Sequence, residues 1–245
     1  MKNILITLLS MLIPSSVIMA QYQNVQEKAS LVNVPLEKFV SQQKTLFNFD
    51  WKFQLVTEEN KGTNFAAPAL DDSSWRILDL PHDFQFEQPW TKAGGGARGF
   101  KPMCEGWYRK SFQADPLWKG KRVVMDFGGI IYLGDVYLNG HKIASTDYGY
   151  VGIEADLTPY LHFEKENIVA VYASTGPKKG SRWYTGGGLF RDVYLQVQNP
   201  THIARHGIYI TTPEVASDKA TVAVQEEVCL LYTSPSPRDM RRSRM

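Results

Sequence analysis

Between Phe47 and Leu55 the apolar residues Phe47, Phe49, Trp51, Phe53 and Leu55 alternate with Asn48, Asp50, Lys52 and Gln54, the period of a strand with one buried face. Shorter runs of the same character recur at 107–112, 122–127, 134–138, 142–144, 167–173 and 193–197. Turn-forming residues separate them. The strongest mark is Asn139-Gly140, set between Val136-Tyr137-Leu138 and His141-Lys142-Ile143, which predicts a two-residue hairpin. Many short strands, few helical periods and glycine-rich turns predict an all-β chain, an antiparallel β-sandwich of the jelly-roll kind over residues 46–200.

The ends read differently. Lys2, the apolar run Ile4–Ile13 and the small Ala20 before Gln21 predict a signal peptide over residues 1–20, and the run is too short to span a membrane. Gln21 rather than a cysteine follows the cut, so the reading is an exported protein, periplasmic or extracellular, with no lipid anchor and no membrane span. Residues 21–45 are polar and without strong periodicity, a leader that either lies over the domain or is disordered, ahead of structure that starts at Leu46. Beyond Pro200, 202–212 and 221–228 read as two further strands separated by a turn containing Pro213 and Asp218. Two strands bury no core alone, so 201–228 is expected to open a second sandwich. From Cys229 the string CLLYTSPSPRDMRRSRM breaks the strand pattern and resembles translated sequencing-adapter readthrough, so residues 229–245 are expected to be a non-native tail.

The formal charge of +2 comes from those ends. Without Lys2 and the charged residues of the tail the remainder is slightly acidic, which excludes a nucleic-acid footprint. Cys104 and Cys229 are the two cysteines, too few for a zinc cluster and, with one at the edge of the tail, no basis for a structural disulfide.

The chemistry-bearing segment is SRWYTGGGLFRDVYL, Ser181–Leu195. Trp183 and Tyr184 offer flat faces for a sugar ring, Arg182 and Arg191 offer donors, and Asp192 offers a carboxylate where a strand begins. Gly186, Gly187 and Gly188 permit positive φ and close approach. The competing reading is a buried turn in which Arg191 pairs with Asp192. Other motifs carry less. His82 and Asp83 are adjacent on an extended segment and point to opposite faces, which fits a loop-fixing hydrogen bond better than a catalytic dyad. His202 and His206 have metal-ligand spacing only on a helix, whereas Ile203 and Ile208 read as strand. Gly94–Gly96 and Gly186–Gly188 lack the lysine and hydroxyl residue of a phosphate loop.

Seven segments stand in a fixed order: FNFDWKFQL from Phe47, DDSSWRILDLPHDF from Asp71, GWYRKSF from Gly106, VYLNG from Val136, YGYVGIEADLTPYL from Tyr148, NIVAVYAS from Asn167, and SRWYTGGGLFRDVYL. Together they resemble the N-terminal sugar-binding domain of glycoside hydrolase family 2, its β-galactosidase-like branch above all. The resemblance implies a galactose-binding-like jelly roll, then an immunoglobulin-like sandwich, then a TIM barrel whose two glutamates perform a retaining hydrolysis. No catalytic residue is therefore expected within this sequence, and as written it is expected to be inactive. By the same resemblance Asp192 matches an aspartate that contacts the galactose hydroxymethyl side, partly through a monovalent cation; the alternatives are a pair with Arg191 or a bond to loop backbone. Trp183 and Tyr184 either touch substrate or pack the domain against the barrel. The loop TKAGGGARGFKP, Thr91–Pro102, either turns Arg98 or Phe100 toward substrate or is a surface loop. The resemblance implies no cofactor held by this stretch itself, a monovalent cation and Mg in the longer protein, a β-galactoside or related carbohydrate as ligand, the barrel in cis as partner, and a homo-oligomer. The alternatives are a non-catalytic carbohydrate-binding jelly roll and a purely structural domain.

Overall fold

The computed structural model describes residues 42–176 and 184–230. Its fourteen strands are β1 (Gln42–Leu46), β2 (Trp51–Leu55), β3 (Arg76–Leu78), β4 (Glu105–Phe112), β5 (Arg122–Phe127), β6 (Ile130–Ile131), β7 (Leu133–Leu138), β8 (His141–Thr146), β9 (Ile153–Asp156), β10 (Asn167–Ser174), β11 (Gly188–Leu189), β12 (Val193–Gln198), β13 (Thr201–Val215) and β14 (Ala220–Leu230). Among the described residues the only helices are short 3-10 turns, and none is long and apolar enough to cross a membrane.

Residues Gln43–Gln198 form one compact unit, built from a four-stranded sheet in the order β1-β12-β5-β9 and a six-stranded sheet in the order β3-β2-β4-β10-β7-β8. The inner faces supply one core. Val123, Met125, Phe127, Val193, Leu195 and Val197 come from the first sheet, and Trp51, Phe53, Tyr108, Val136, Leu138, Val169 and Val171 from the second. Each fully buried side chain of this size is worth about 1.5–3 kcal/mol of hydrophobic transfer, which is why the alternating runs locate these strands. The Asn139-Gly140 hairpin forms between β7 and β8 with both residues at positive φ, 51° and 85°, as the primed turn requires.

The motif Asp71–Trp75 acts on the outer face of the six-stranded sheet. Arg109, fully buried on β4, donates from Nε to Asp72 Oδ2 at 2.8 Å and from its guanidinium to the carbonyls of Phe65 and Ala67 at 2.5 and 3.1 Å. Burial pushes the Asp72 carboxyl up, but the bonds from Lys52 and Arg109 outweigh it and hold the group below its ordinary value. The loop before β3 is thereby tied onto the sheet.

Four sequence expectations are corrected. The run Phe47–Leu55 is not one strand: Asp50 takes φ 56° and its N–H donates to Asp79 Oδ1 at 2.9 Å, so the chain bends before β2, Phe49 is exposed and Asn48 is buried. The leader does not extend to residue 45, because Gln42–Leu46 is a strand beside β12, with the Lys44 ammonium 3.9 Å over the Tyr194 ring. Pro213 is not in a turn but inside β13, at a register shift between Thr211 and Glu214, where a missing donor is tolerated. The strand pattern does not break at Cys229, since β14 pairs Cys229 with His202 and Leu230 with Thr201. The expected signal peptide, the rest of the expected leader and the residues from 231 onward lie outside the described residues.

The pair β13–β14 belongs to the other unit, which takes in the residues from Asn199 onward. It is a long antiparallel ribbon with Ile208, Tyr209, Ile210, Val215 and Val228 about half exposed or more. His202 and His206 lie on this strand rather than a helix.

Candidate functional site

At one end of the sandwich the segment after the β3 turn runs beside the glycine loop. His82 N–H donates to Leu189 O at 2.8 Å and Phe84 N–H to Gly187 O at 2.9 Å. Between them Asp83 uses its whole carboxylate. Its Oδ1 accepts from the N–H groups of Gly187, Gln85 and Phe86 at 2.9, 3.0 and 3.1 Å, and its Oδ2 accepts from the Tyr184 hydroxyl. Burial and the adjacent Asp83 charge together push the Tyr184 phenol far up, so it stays a donor. The approach is close enough to demand glycine: Gly188 has φ 120°, and a Cβ there would strike the Tyr108 hydroxyl and lie 2.8 Å from His82 O.

His82 turns the other way. Its Nδ1 shares a hydrogen bond with Tyr108 OH at 2.8 Å and its Nε2 lies 3.2 Å from Glu87 Oε1. Burial lowers the imidazole below its ordinary value against the pull of Glu87, and burial likewise raises Tyr108. His82 and Asp83 thus serve different partners: the Asp83 carboxylate fixes loop backbone, and the His82 ring links the side chains of Tyr108, Glu87 and Arg76.

Asp192 stands at the far end of the same segment, just before β12. Its Oδ1 accepts from Asn48 Nδ2 at 2.8 Å and its Oδ2 faces Tyr194 OH at 3.3 Å. Asn48 completes the arrangement with its own Oδ1, which accepts from Val193 N–H at 2.8 Å. Arg191 does not pair with Asp192: its guanidinium lies 5.0 Å from the Phe190 ring centre and reaches Gly128 O at 3.4 Å. Asp192 therefore retains acceptor capacity that no neighbour saturates. A cation at this point would have one carboxylate from this chain. No group of three or more His, Cys, Asp or Glu side chains is gathered as metal donors among the described residues.

Of the other sequence candidates, Tyr184 is partly exposed at 37% and sits in the Asp83 cluster, apart from the partners of Asp192. Trp183 and Arg182 lie outside the described residues. Arg98 closes the second of two 3-10 turns in the loop Thr91–Pro102 and is described in its backbone alone. Phe100 is half exposed with φ 61°. Sequence reasoning missed Asn48, which sits at a polar position of an alternating run and was expected to face solvent. The loop-fixing hydrogen bond expected at His82-Asp83 is made by Asp83, with the glycine loop as the partner that the sequence does not name.

The sandwich and its loop end correspond to a known group. Residues 102–191 match the family described as glycosyl hydrolase 2 galactose-binding domain-like. Over these residues the chain carries the galactose-binding-like domain of glycoside hydrolase family 2. Among curated members it is 37% identical over 181 residues to "Beta-galactosidase BoGH2A" of Bacteroides ovatus, covering 72% of this chain and 20% of that protein. It is 33% identical over 187 residues to a "Putative beta-glucuronidase" of Formosa agariphila, covering 76% of this chain and 18% of that one. Among solved family structures, a beta-glycosidase from Bacteroides vulgatus superposes with a TM-score of 0.72 at 35% identity, over 78% of this chain and 25% of its own. The chain spans about a fifth to a quarter of the length of these relatives.

Proposed function

We propose that this chain is the front part of an exported, retaining, β-galactosidase-like glycoside hydrolase. The carboxylates that cleave the glycosidic bond belong to a barrel outside this sequence, and the sandwich contributes a wall of the sugar pocket through the segment ending at Asp192. The observation that carries the reading is the 37% identity to a beta-galactosidase across most of the chain. It is supported by a carboxylate at Asp192 that is positioned by Asn48 yet left with free acceptor capacity. In that role Asp192 accepts a sugar hydroxyl and Tyr184 presents a ring edge; neither transfers a proton to the reacting bond. The β13–β14 ribbon is read as the opening of the second, immunoglobulin-like sandwich. The exposed apolar residues on it fit a face that further strands would cover.

The counter-reading is a glucuronidase, because the Formosa agariphila relative carries that name. The test is the coding sequence continued past codon 228. A barrel with an Asn-Glu pair at a strand end is expected, and its product is expected to turn over a chromogenic β-galactoside faster than the matching β-glucuronide. The reverse preference overturns the galactosidase reading. The present 245-residue chain is expected to give no turnover of either, and clear turnover by it overturns the assignment of the chemistry to a barrel.

A further inference from the structure

Two aromatic rings stand in water beside the Asp83 cluster. Trp90 is 68% exposed and Phe86 67%, and exposed apolar area of this kind marks a contact surface when it is held in place. Here it is held. Lys101, 3% exposed, donates to Phe86 O at 2.7 Å and Gln88 O at 2.5 Å, and its ammonium lies 4.2 Å from the Trp90 ring centre and 5.4 Å from that of Phe86. One side of Trp90 thus rests on a buried cation, an attraction that strengthens with desolvation, while most of the ring stays in solvent. The flanking backbone is open: at Gly95, φ 74°, nothing lies within 4 Å of where a Cβ would stand. The rings also belong to the same hydrogen-bonded unit as Tyr184, because Asp83 accepts from both Phe86 N–H and the Tyr184 hydroxyl.

We propose that Trp90 and Phe86 form a stacking ledge for one ring of a neutral β-linked saccharide, an inference that rests on the glycoside hydrolase reading above. Size argues for a sugar over a protein. Two rings of about 150–250 Å² each, two-thirds exposed, present roughly 200–350 Å², enough to cover one face of a pyranose and well under the ~800 Å² per partner of a stable protein interface. Charge argues for a neutral sugar. An ammonium has three donors; two are spent on carbonyls and the aromatic rings occupy the rest of its surroundings, so it offers nothing to a uronate. Because Lys101 pre-positions the ledge, little ordering is lost on binding.

Equilibrium titration of the 245-residue chain with lactose and with a neutral β-galacto-oligosaccharide tests this. The longer sugar is expected to bind in the millimolar range. Trp90→Ala is expected to weaken it about three- to tenfold and Phe86→Ala less, with Trp90→Phe restoring part of the loss. Both positions are exposed, so far-UV circular dichroism should be unchanged. Affinity in Trp90→Ala equal to wild type overturns the ledge and leaves the hydrolase reading standing. Preference for a β-linked glucuronate oligosaccharide of the same length, titrated alongside, overturns the neutral assignment, and no binding up to about 20 mM overturns the ledge outright. The hydrolase reading is judged separately, by turnover of the longer gene product.

Discussion

Asp83 and Asp192 hold the two ends of one segment, and they hold them differently. Asp83 gives both oxygens to donors within the loop cluster, three backbone N–H groups and the Tyr184 hydroxyl. Asp192 is met by one amide from Asn48 and, more distantly, by Tyr194. Charge-assisted bonds to backbone donors are among the stronger ones a carboxylate makes, and a saturated carboxylate has nothing left for a ligand. The lesson is that a carboxylate saturated by its own loop is the wrong one to expect on substrate, in line with the sequence reading of His82-Asp83 as a loop-fixing pair and of Asp192 as the candidate contact.

The largest expected effect falls on the Asp83 end. Gly188→Ala places a Cβ against the Tyr108 hydroxyl and His82 O at a φ of 120°, which combines a forbidden backbone region with overpacking and should cost about 3 kcal/mol or more. Urea titration checks it. Asp83→Ala follows at about 2–3 kcal/mol, since it strands the N–H groups of Gly187, Gln85 and Phe86. A loss under about 1 kcal/mol would show that water replaces the carboxylate and would erase the contrast with Asp192.

The next effect sits on the Asp192 end and tests the positioning residue. Asn48→Ala removes the acceptor for Val193 N–H and the donor to Asp192 in one step; at a site only 4% exposed that should cost about 1–3 kcal/mol. Asn48 also shows why the site was only half legible in the sequence. Period-two alternation correctly located β4, β5, β7, β10 and β12, because each lies across the core and turns at least one face into it. It failed from Phe47 to Asp50, where Asn48 is buried for its hydrogen bonds and Asp50 breaks the strand with a positive φ. It also passed over β6, β9 and β11, whose two to four residues are too short to show a period. Tertiary hydrogen bonds decided all of these positions, and no local pattern carries them.

A smaller effect sharpens the account of His82. Burial lowers its imidazole from the ordinary 6.5, so the folded state prefers the neutral ring. The unfolded chain takes up the proton first as pH falls, so the stability His82 contributes is fully present above 6.5 and is lost as pH drops toward the folded value. Arg76, Glu87, Asp83 and Tyr108 surround it. Denaturant midpoints measured between 6.5 and about 5 should fall for the wild type and stay flatter for His82→Gln. Equal slopes would mean that the ring titrates as if exposed. The carboxyl of Glu87, raised by burial but lowered more by Arg76 and His82, adds its own loss only below its ordinary 4.5.

The smallest expected stability effect decides the comparison. Asp192→Asn keeps the shape of the side chain: the new amide can still turn its oxygen toward Asn48 Nδ2, and its NH2 can donate to the Tyr194 hydroxyl in place of the contact at 3.3 Å. Only the charge is lost, in a position partly open to water, so unfolding free energy should change by less than about 1 kcal/mol. A sugar hydroxyl donating to that oxygen would lose a charge-assisted bond, and affinity would fall where stability does not. If Asp192→Asn instead cost as much as Asp83→Ala, the two carboxylates would be equivalent loop anchors, and Asp192 would have no spare capacity to offer a ligand.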